Sequence, residues 1–154
     1  MYSEQIAKDI RNILDEHRME FEFNEKLGVF AIDIRLKTIN IRACIFIVLS
    51  EEYVKALVQS VLTADKSNKS RVAEFLHMVN NNNEKGNYEF DKEQGTIRYI
   101  CSLNITNIKP TSEMLQETIF MAEAGFDKYA SALREVMEGT SLPEEAMKKA
   151  VMEF

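Results

Sequence analysis

Two cysteines and two histidines are the side chains best suited to metal or thiol chemistry in this chain, and their spacing keeps them apart. Cys44 and Cys101 each lack a second cysteine nearby, and neither His17 nor His77 has another histidine four residues away. Structural zinc sites draw their ligands in close pairs, so no metal site is expected. Both cysteines lie inside apolar stretches and read as buried free thiols, which agrees with a reducing compartment. His17, beside Asp15 and Glu16, reads as a surface residue. His77 follows Leu76 and reads as a packing residue at a partly buried edge.

Paired carboxylates are the next candidates, since general acid–base work needs two of them in reach of one substrate. Asp15-Glu16 and Glu144-Glu145 are adjacent on helices, so their side chains diverge. Glu20 and Glu22 share one face of a strand, but no aromatic cleft accompanies them and a solvated face explains them. The five glycines, at 28, 86, 95, 125 and 139, form neither GxGxxG nor a Walker loop. No GxSxG surrounds Ser102, Ser112 or Ser131. Asp91, Glu93 and the asparagine run at 80–83 do not match the twelve-position calcium loop and read as solvated turns. Asn104-Ile105-Thr106 has the form of a glycosylation acceptor, but no secretory signal accompanies it. No catalytic residue, cofactor or metal ligand is assigned.

The charge balance narrows the partners. The chain has 19 basic and 25 acidic side chains, a net charge of -6. Phosphate backbones are held by clustered Lys and Arg, and the nearest approach to a cluster is Arg35, Lys37 and Arg42 with Asp33 among them. Nucleic acid is therefore not an expected partner. The most apolar run, 43–49, is far short of the ~20 residues of a membrane helix, so no membrane is expected and the location reads as cytoplasmic. With 154 residues, 45% hydrophobic and 29% charged, the composition suits one globular core better than a disordered chain. No linker divides it, so 1–154 reads as a single domain with 141–154 as a C-terminal extension.

The elements that would position these side chains follow from periodicity. Ile6, Ile10, Ile13 and Leu14 recur with helical spacing, which predicts a helix over 3–18 with Ser3 as its cap. Phe21 and Phe23 alternate with polar residues over 19–24, a half-buried strand. Phe30, Ile32, Ile34 and Leu36 mark a second strand over 29–36. A third begins near Ile39, with Ala43, Ile45, Ile47 and Leu49 sharing one face. Its other face runs from Asn40 and Arg42 to Cys44, Phe46 and Val48, so it changes from solvated to apolar partway along. Either a helix of this chain or another subunit should cover that second half.

Residues 53–62 are ambiguous. Val54, Leu57, Val58, Val61 and Leu62 have helical spacing, whereas Val54, Ala56 and Val58 alternate as in a strand; periodicity alone favours the helix. Val72, Phe75, Leu76 and Val79 predict a helix over 70–80. A hairpin follows, with Tyr88 and Phe90 on its first strand and Ile97, Tyr99, Cys101 and Leu103 on its second. Thr111 caps a long helix that Gly139 ends, and Gly125 inside it calls for a kink or a close packing contact. Ser141 and Glu144 form a capping box for a last short helix.

The second half of the chain resembles a known family. The apolar helix ending in Asn80, then Tyr88-Glu89-Phe90-Asp91, Gln94-Gly95-Thr96-Ile97-Arg98-Tyr99 and Thr111-Ser112-Glu113-Met114-Leu115, look like the bacterial YbjN-type family, described as sensory transduction regulators. The resemblance covers about 5–137 and implies an α+β fold like that of the type III secretion chaperones. Its antiparallel sheet is flanked by helices in the order helix, three strands, helix, two strands, helix, with 53–62 as an extra strand or irregular connection. It implies no catalytic residue. Secretion chaperones often pair as homodimers and hold segments of other proteins.

The functional expectation is a non-catalytic protein-interaction or chaperone-like regulatory module, working as a homodimer or on another protein or peptide segment. Its expected surface comprises Phe46, Val48, Met114, Met121, Met147, Val151 and Phe154, with Ala130 also off the main helical stripe. The alternative is a small-molecule-binding regulatory domain, or an enzyme with an unrecognised site. Its groove would lie between the 80–83 run and the 104–109 connection, lined by Arg98, Asn104 or Lys109.

Overall fold

The computed structural model describes residues 1–152. It is an α+β fold in which six antiparallel strands form one sheet in the order β1-β2-β3-β4-β6-β5. Along the chain the elements are α1 (Glu4–Glu16), β1 (Glu22–Asn24), β2 (Val29–Arg35), β3 (Arg42–Leu49), β4 (Tyr53–Thr63), α2 (Lys69–Asn82), β5 (Asn87–Phe90), β6 (Thr96–Asn104), α3 (Ser112–Glu138) and α4 (Pro143–Met152). The architecture and the order of flanking helices are those expected.

The open segment 53–62 is a strand. β4 occupies the middle of the sheet, with Val58 registered against Ile45 of β3 and Tyr99 of β6. Its alternation wins because both neighbours supply backbone partners and an apolar face, which no single-strand periodicity reveals. The turn before it is local chemistry: Ser50 Oγ accepts the Glu52 and Tyr53 N–H groups at 3.2 and 3.1 Å, closing the β3–β4 hairpin.

The core lies on one face of the sheet. Phe30, Ile32, Ile45, Ile47, Val54 and Val58 are buried there beneath residues of the helices. α1 brings Ile10, Ile13 and Leu14, α2 brings Val72, Phe75 and Val79, and α3 brings Leu115, Ile119, Phe126 and Leu133. The caps form as expected at two helices: Ser3 Oγ accepts from Ile6 N, and Thr111 Oγ1 from Met114 N at 3.2 Å. Gly139 ends α3 at φ 77°, a left-handed conformation that costs a glycine little. Arg71 reinforces that end, its guanidinium donating to the Val136 and Met137 carbonyls at 2.6 and 2.8 Å, in the last turn where carbonyls run short of helical donors; Val136 O also accepts the Gly139 N–H at 3.2 Å.

α4 starts one residue later than the expected capping box. Pro143 takes the first helical position, where its fixed φ suits the turn and its missing N–H costs nothing. The Glu145 carboxylate therefore reaches back to Leu142 N, while Ser141 Oγ donates to Glu135. Glu144 has no part in the cap. The helix packs on α3, burying Ala146, Met147 and Ala150.

Gly125 is the close contact anticipated inside α3. A Cβ built there would fall within the Tyr99 ring of β6. Gly125→Ala gains roughly 1 kcal/mol of helix propensity but must displace that ring, at about 1–3 kcal/mol of overpacking. The expected result is a lower urea midpoint, partly recovered by adding Tyr99→Leu; an unchanged or raised midpoint for Gly125→Ala would contradict the contact.

Candidate interaction surface

The second face of the sheet is the feature that no helix explains. All four helices contribute to the buried cluster on the core face. The register then places the remaining side chains in transverse rows across four strands. One row reads Ala31 on β2, Phe46 on β3, Leu57 on β4 and Ile100 on β6. The row towards one end reads Asp33, Cys44, Gln59 and Arg98, and the row towards the other reads Val29, Val48, Lys55 and Ser102. Ala31, Phe46 and Leu57 are half-buried by their strand neighbours alone. Ile100 is only 9% exposed yet stands outside the core cluster.

This answers the question posed by the third strand. Among the described residues Cys44, Phe46 and Val48 are only half-buried and stand outside the core cluster to which all four helices contribute. The apolar row also includes Leu57 and Ile100, which sequence patterning did not single out. Leu57 was hidden by the helical reading of its segment. Alternation along β6 already puts Ile100 on the face opposite Tyr99 and Cys101, with Arg98 and Ser102; the register is what sets it beside Leu57.

The other expected surface residues are scattered. Met114 is half-buried, Met121 is 36% exposed on α3, and Val151 is 54% exposed on α4. Met147 is in the core at 9% exposure, because α4 folds back onto α3, and Ala130 is fully buried. Phe154 lies outside the described residues. These positions do not join the sheet face into one patch.

The polar candidates are occupied by structure. Asn80 Oδ1 accepts Tyr88 N at 2.7 Å and its Nδ2 donates to Tyr88 O at 2.9 Å, mimicking a strand partner at the start of β5. Asn83 Nδ2 donates to the Tyr99 hydroxyl, whose proton goes to Lys85 O at 2.8 Å. Asp91 Oδ1 accepts the Glu93 and Gln94 N–H groups in a turn. His77 is exposed rather than packed, beside Asn81 Nδ2 at 3.4 Å. His17 is exposed with its ring 4.6 Å from that of Phe120. Cys44 and Cys101 are free thiols, and among the described residues no three metal-ligating side chains come together. No described helix is long and apolar enough to cross a membrane.

Two clefts divide what had been expected as one groove. Ile105, Ile108 and Lys109 of the connection line a cleft of about 540 Å³ with Tyr2 and Ile6 of the N-terminal segment. Asn82 and Asn83 line a different one of about 360 Å³, with Lys85, Tyr99 and Tyr129. Arg98 lines neither, since it is on the open sheet face. Glu20, Glu22 and Asp33 line a recess of about 420 Å³ over Ala31.

Comparison with known proteins adds the fold. No family model matches the chain, and no curated protein matches its sequence. The crystal structure of YbjN from E. coli, described as a candidate transcription regulator, is similar with a TM-score of 0.59 and 14% identity. The match covers 77% of this chain and 83% of that one. At that identity the likeness is one of fold alone.

Burial holds the thiols and phenols here in their neutral forms. Cys101 is pushed up to about 11 by burial, and Tyr99 to about 12 by burial and then by the neighbouring Cys101. Cys44 is also raised, by burial first, and the Asp33 carboxylate adds to the effect. Because the folded chain holds these protons more tightly than the unfolded one, their contribution is intact below about pH 9. It is lost as pH rises through the folded values of Cys101 and Tyr99. Alkaline denaturation should therefore steepen above about pH 9 and flatten in the Tyr99→Phe/Cys101→Ala double variant. An identical slope in that variant would refute the assignment.

Proposed function

We propose that this chain is a non-catalytic interaction module whose working surface is the open face of its sheet. The observation that carries this reading is the apolar row Ala31, Phe46, Leu57 and Ile100, crossing four strands outside the core cluster to which all four helices contribute. Exposed antiparallel sheet faces ordinarily carry polar side chains, and contiguous apolar surface that monomers leave open commonly marks an interface. Here the row is bordered on one side by Asp33, Gln59 and Arg98 with Cys44 among them, and on the other by Lys55 and Ser102 beyond the apolar Val29 and Val48. That is the rim-and-centre composition of a recognition surface. The recesses on this face, one of about 250 Å³ beside Cys44 and Phe46 and one over Ala31, are open to solvent, and the neutral Cys44 thiol is a poor nucleophile.

The fold likeness to YbjN is compatible with a regulatory role, but one fold hosts many functions, so the reading stands on the surface. A cytoplasmic setting belongs to the same proposal and fits two free thiols. Leu57→Asp and Phe46→Asp, checked for a native circular dichroism spectrum, should each lose at least about tenfold of the partner yield in affinity capture with mass spectrometry. Partners retained at wild-type yield by both variants would remove the sheet face from the proposal.

A second reading, a small-molecule-binding regulatory domain, is favoured by one observation. The 540 Å³ cleft is lined by apolar Ile6, Ile105 and Ile108 and by charged Lys109, Asp9 and Glu51, and ligand pockets commonly combine an apolar lining with a few polar groups. A thermal-shift screen of small amphipathic zwitterions, which present both charges to Lys109 and to Asp9 and Glu51, should then raise the wild-type midpoint and leave that of Lys109→Glu unmoved. No shift with any of them counts against this reading.

A further inference from the structure

We propose that a second copy of this chain docks on the open sheet face, the two copies related by a twofold axis that runs along the strands between β3 and β4. This rests on the interaction-face reading above and adds the partner and its orientation. The face meets solvent in the strand order β2, β3, β4, β6. A twofold parallel to the strands therefore exchanges β2 with β6 and β3 with β4.

Under that exchange the charged row becomes self-complementary. Asp33 and Arg98 lie at opposite ends of one row, with Cys44 and Gln59 between them. The operation sets Asp33 of each copy opposite Arg98 of the other, twice per dimer, and Cys44 opposite Gln59. Among the described residues neither Asp33 nor Arg98 forms an ion pair within its own chain, although Glu89 is the cross-strand neighbour of Arg98. Sheets stacked face to face sit roughly 10 Å apart, a gap that an arginine and an aspartate can bridge.

The same operation satisfies the neighbouring rows. Ala31 meets Ile100 and Phe46 meets Leu57, so the apolar row covers itself. One strand further out, Glu22 of β1, registered opposite Ala31, meets Asn87 of β5, registered opposite Ile100. Towards the other end Val48 meets Lys55 and Val29 meets Ser102, and across the four central strands no like charges are opposed; outside them Glu89, beside Arg98, comes nearest Glu20, beside Asp33. A twofold perpendicular to the strands does worse: it sets Asp33 against Val29 and Arg98 against Ser102. Isologous pairing requires one patch to complement itself, and charge complementarity fixes which operator does so.

The decisive experiment is sedimentation velocity on the full chain from about 1 to about 200 micromolar. Wild type should show a concentration-dependent dimer. Asp33→Arg and Arg98→Asp should each raise the dimer dissociation constant by about tenfold or more, since each variant opposes like charges at both contacts. An equimolar mixture of the two variants should recover wild-type affinity, because both contacts of the mixed dimer again join opposite charges. Circular dichroism tests that each variant folds, and Asp33→Asn with Arg98→Gln replaces any variant that does not, with a smaller loss expected. A wild type that stays monomeric overturns the second copy while leaving the Leu57→Asp capture experiment to decide the interaction face. Variants that dimerise as wild type does, or a mixture that recovers nothing, overturn the stated orientation.

Discussion

The Tyr99 ring fills the space that a side chain at residue 125 would occupy, and that exchange of volume lets α3 lie directly against β6. α3 has 27 residues, a rod of roughly 40 Å, and it packs along both β4 and β6. Tyr88 stands edge-on to Tyr99 and to Phe126 of the same helix, its hydroxyl donating to the Phe126 carbonyl. β5, β6 and α3 are thereby joined through aromatic contacts worth about 0.5–1.5 kcal/mol each beyond their buried area. α2 and α4 pack in turn on α3. The Tyr99 hydroxyl reaches Lys85 O on the connection into β5, so the same ring also anchors the loop after α2.

With the helices gathered on one face, the other face has to be managed by its own side chains. The sheet's two edges are short, three residues in β1 and four in β5, which limits pairing with other strands. Its centre is different. β3 and β4 place Phe46 and Leu57 side by side where solvent-facing strands ordinarily carry charge. Half-burial by neighbouring strands lessens the cost of leaving them open; the row with Asp33, Gln59 and Arg98 bounds the apolar band at one end, while at the other it runs on through Val48 and Val29 until Lys55 and Ser102 close it on β4 and β6. That combination leaves Phe46 and Leu57 half-buried without a second layer over them among the described residues.

Most side chains that might have carried chemistry have structural employment instead. The asparagine run stitches the end of α2 to β5 and to two tyrosine hydroxyls. Arg71 holds the end of α3, and Asp91 shapes the β5–β6 turn. Thr38 and Asp127 tie the tip of the β2–β3 hairpin to α3 at 2.9–3.1 Å. These are long-range or turn contacts that residue type alone does not announce.

Local chemistry sufficed for much of the fold. The spacing of Ile6, Ile10 and Ile13, the caps at Ser3 and Thr111, the stop at Gly139 and the alternation of β2 and β6 could all be read directly, because each depends on residues a few positions apart. Likeness in the second half pointed to the fold family, and the YbjN structure supports it at the level of fold. Tertiary structure decided the rest. Residues 53–62 satisfied both periodicities, and only strands on both sides could make them β4. Met147 looked like free surface until α4 folded back, His77 turned outward, and Pro143 moved a cap by one residue. The open row needed the register of four strands to exist at all, since Ala31, Phe46, Leu57 and Ile100 are neighbours only across backbone hydrogen bonds. A chain can specify which side chains alternate; which of them then stand abreast is set by pairings between distant segments.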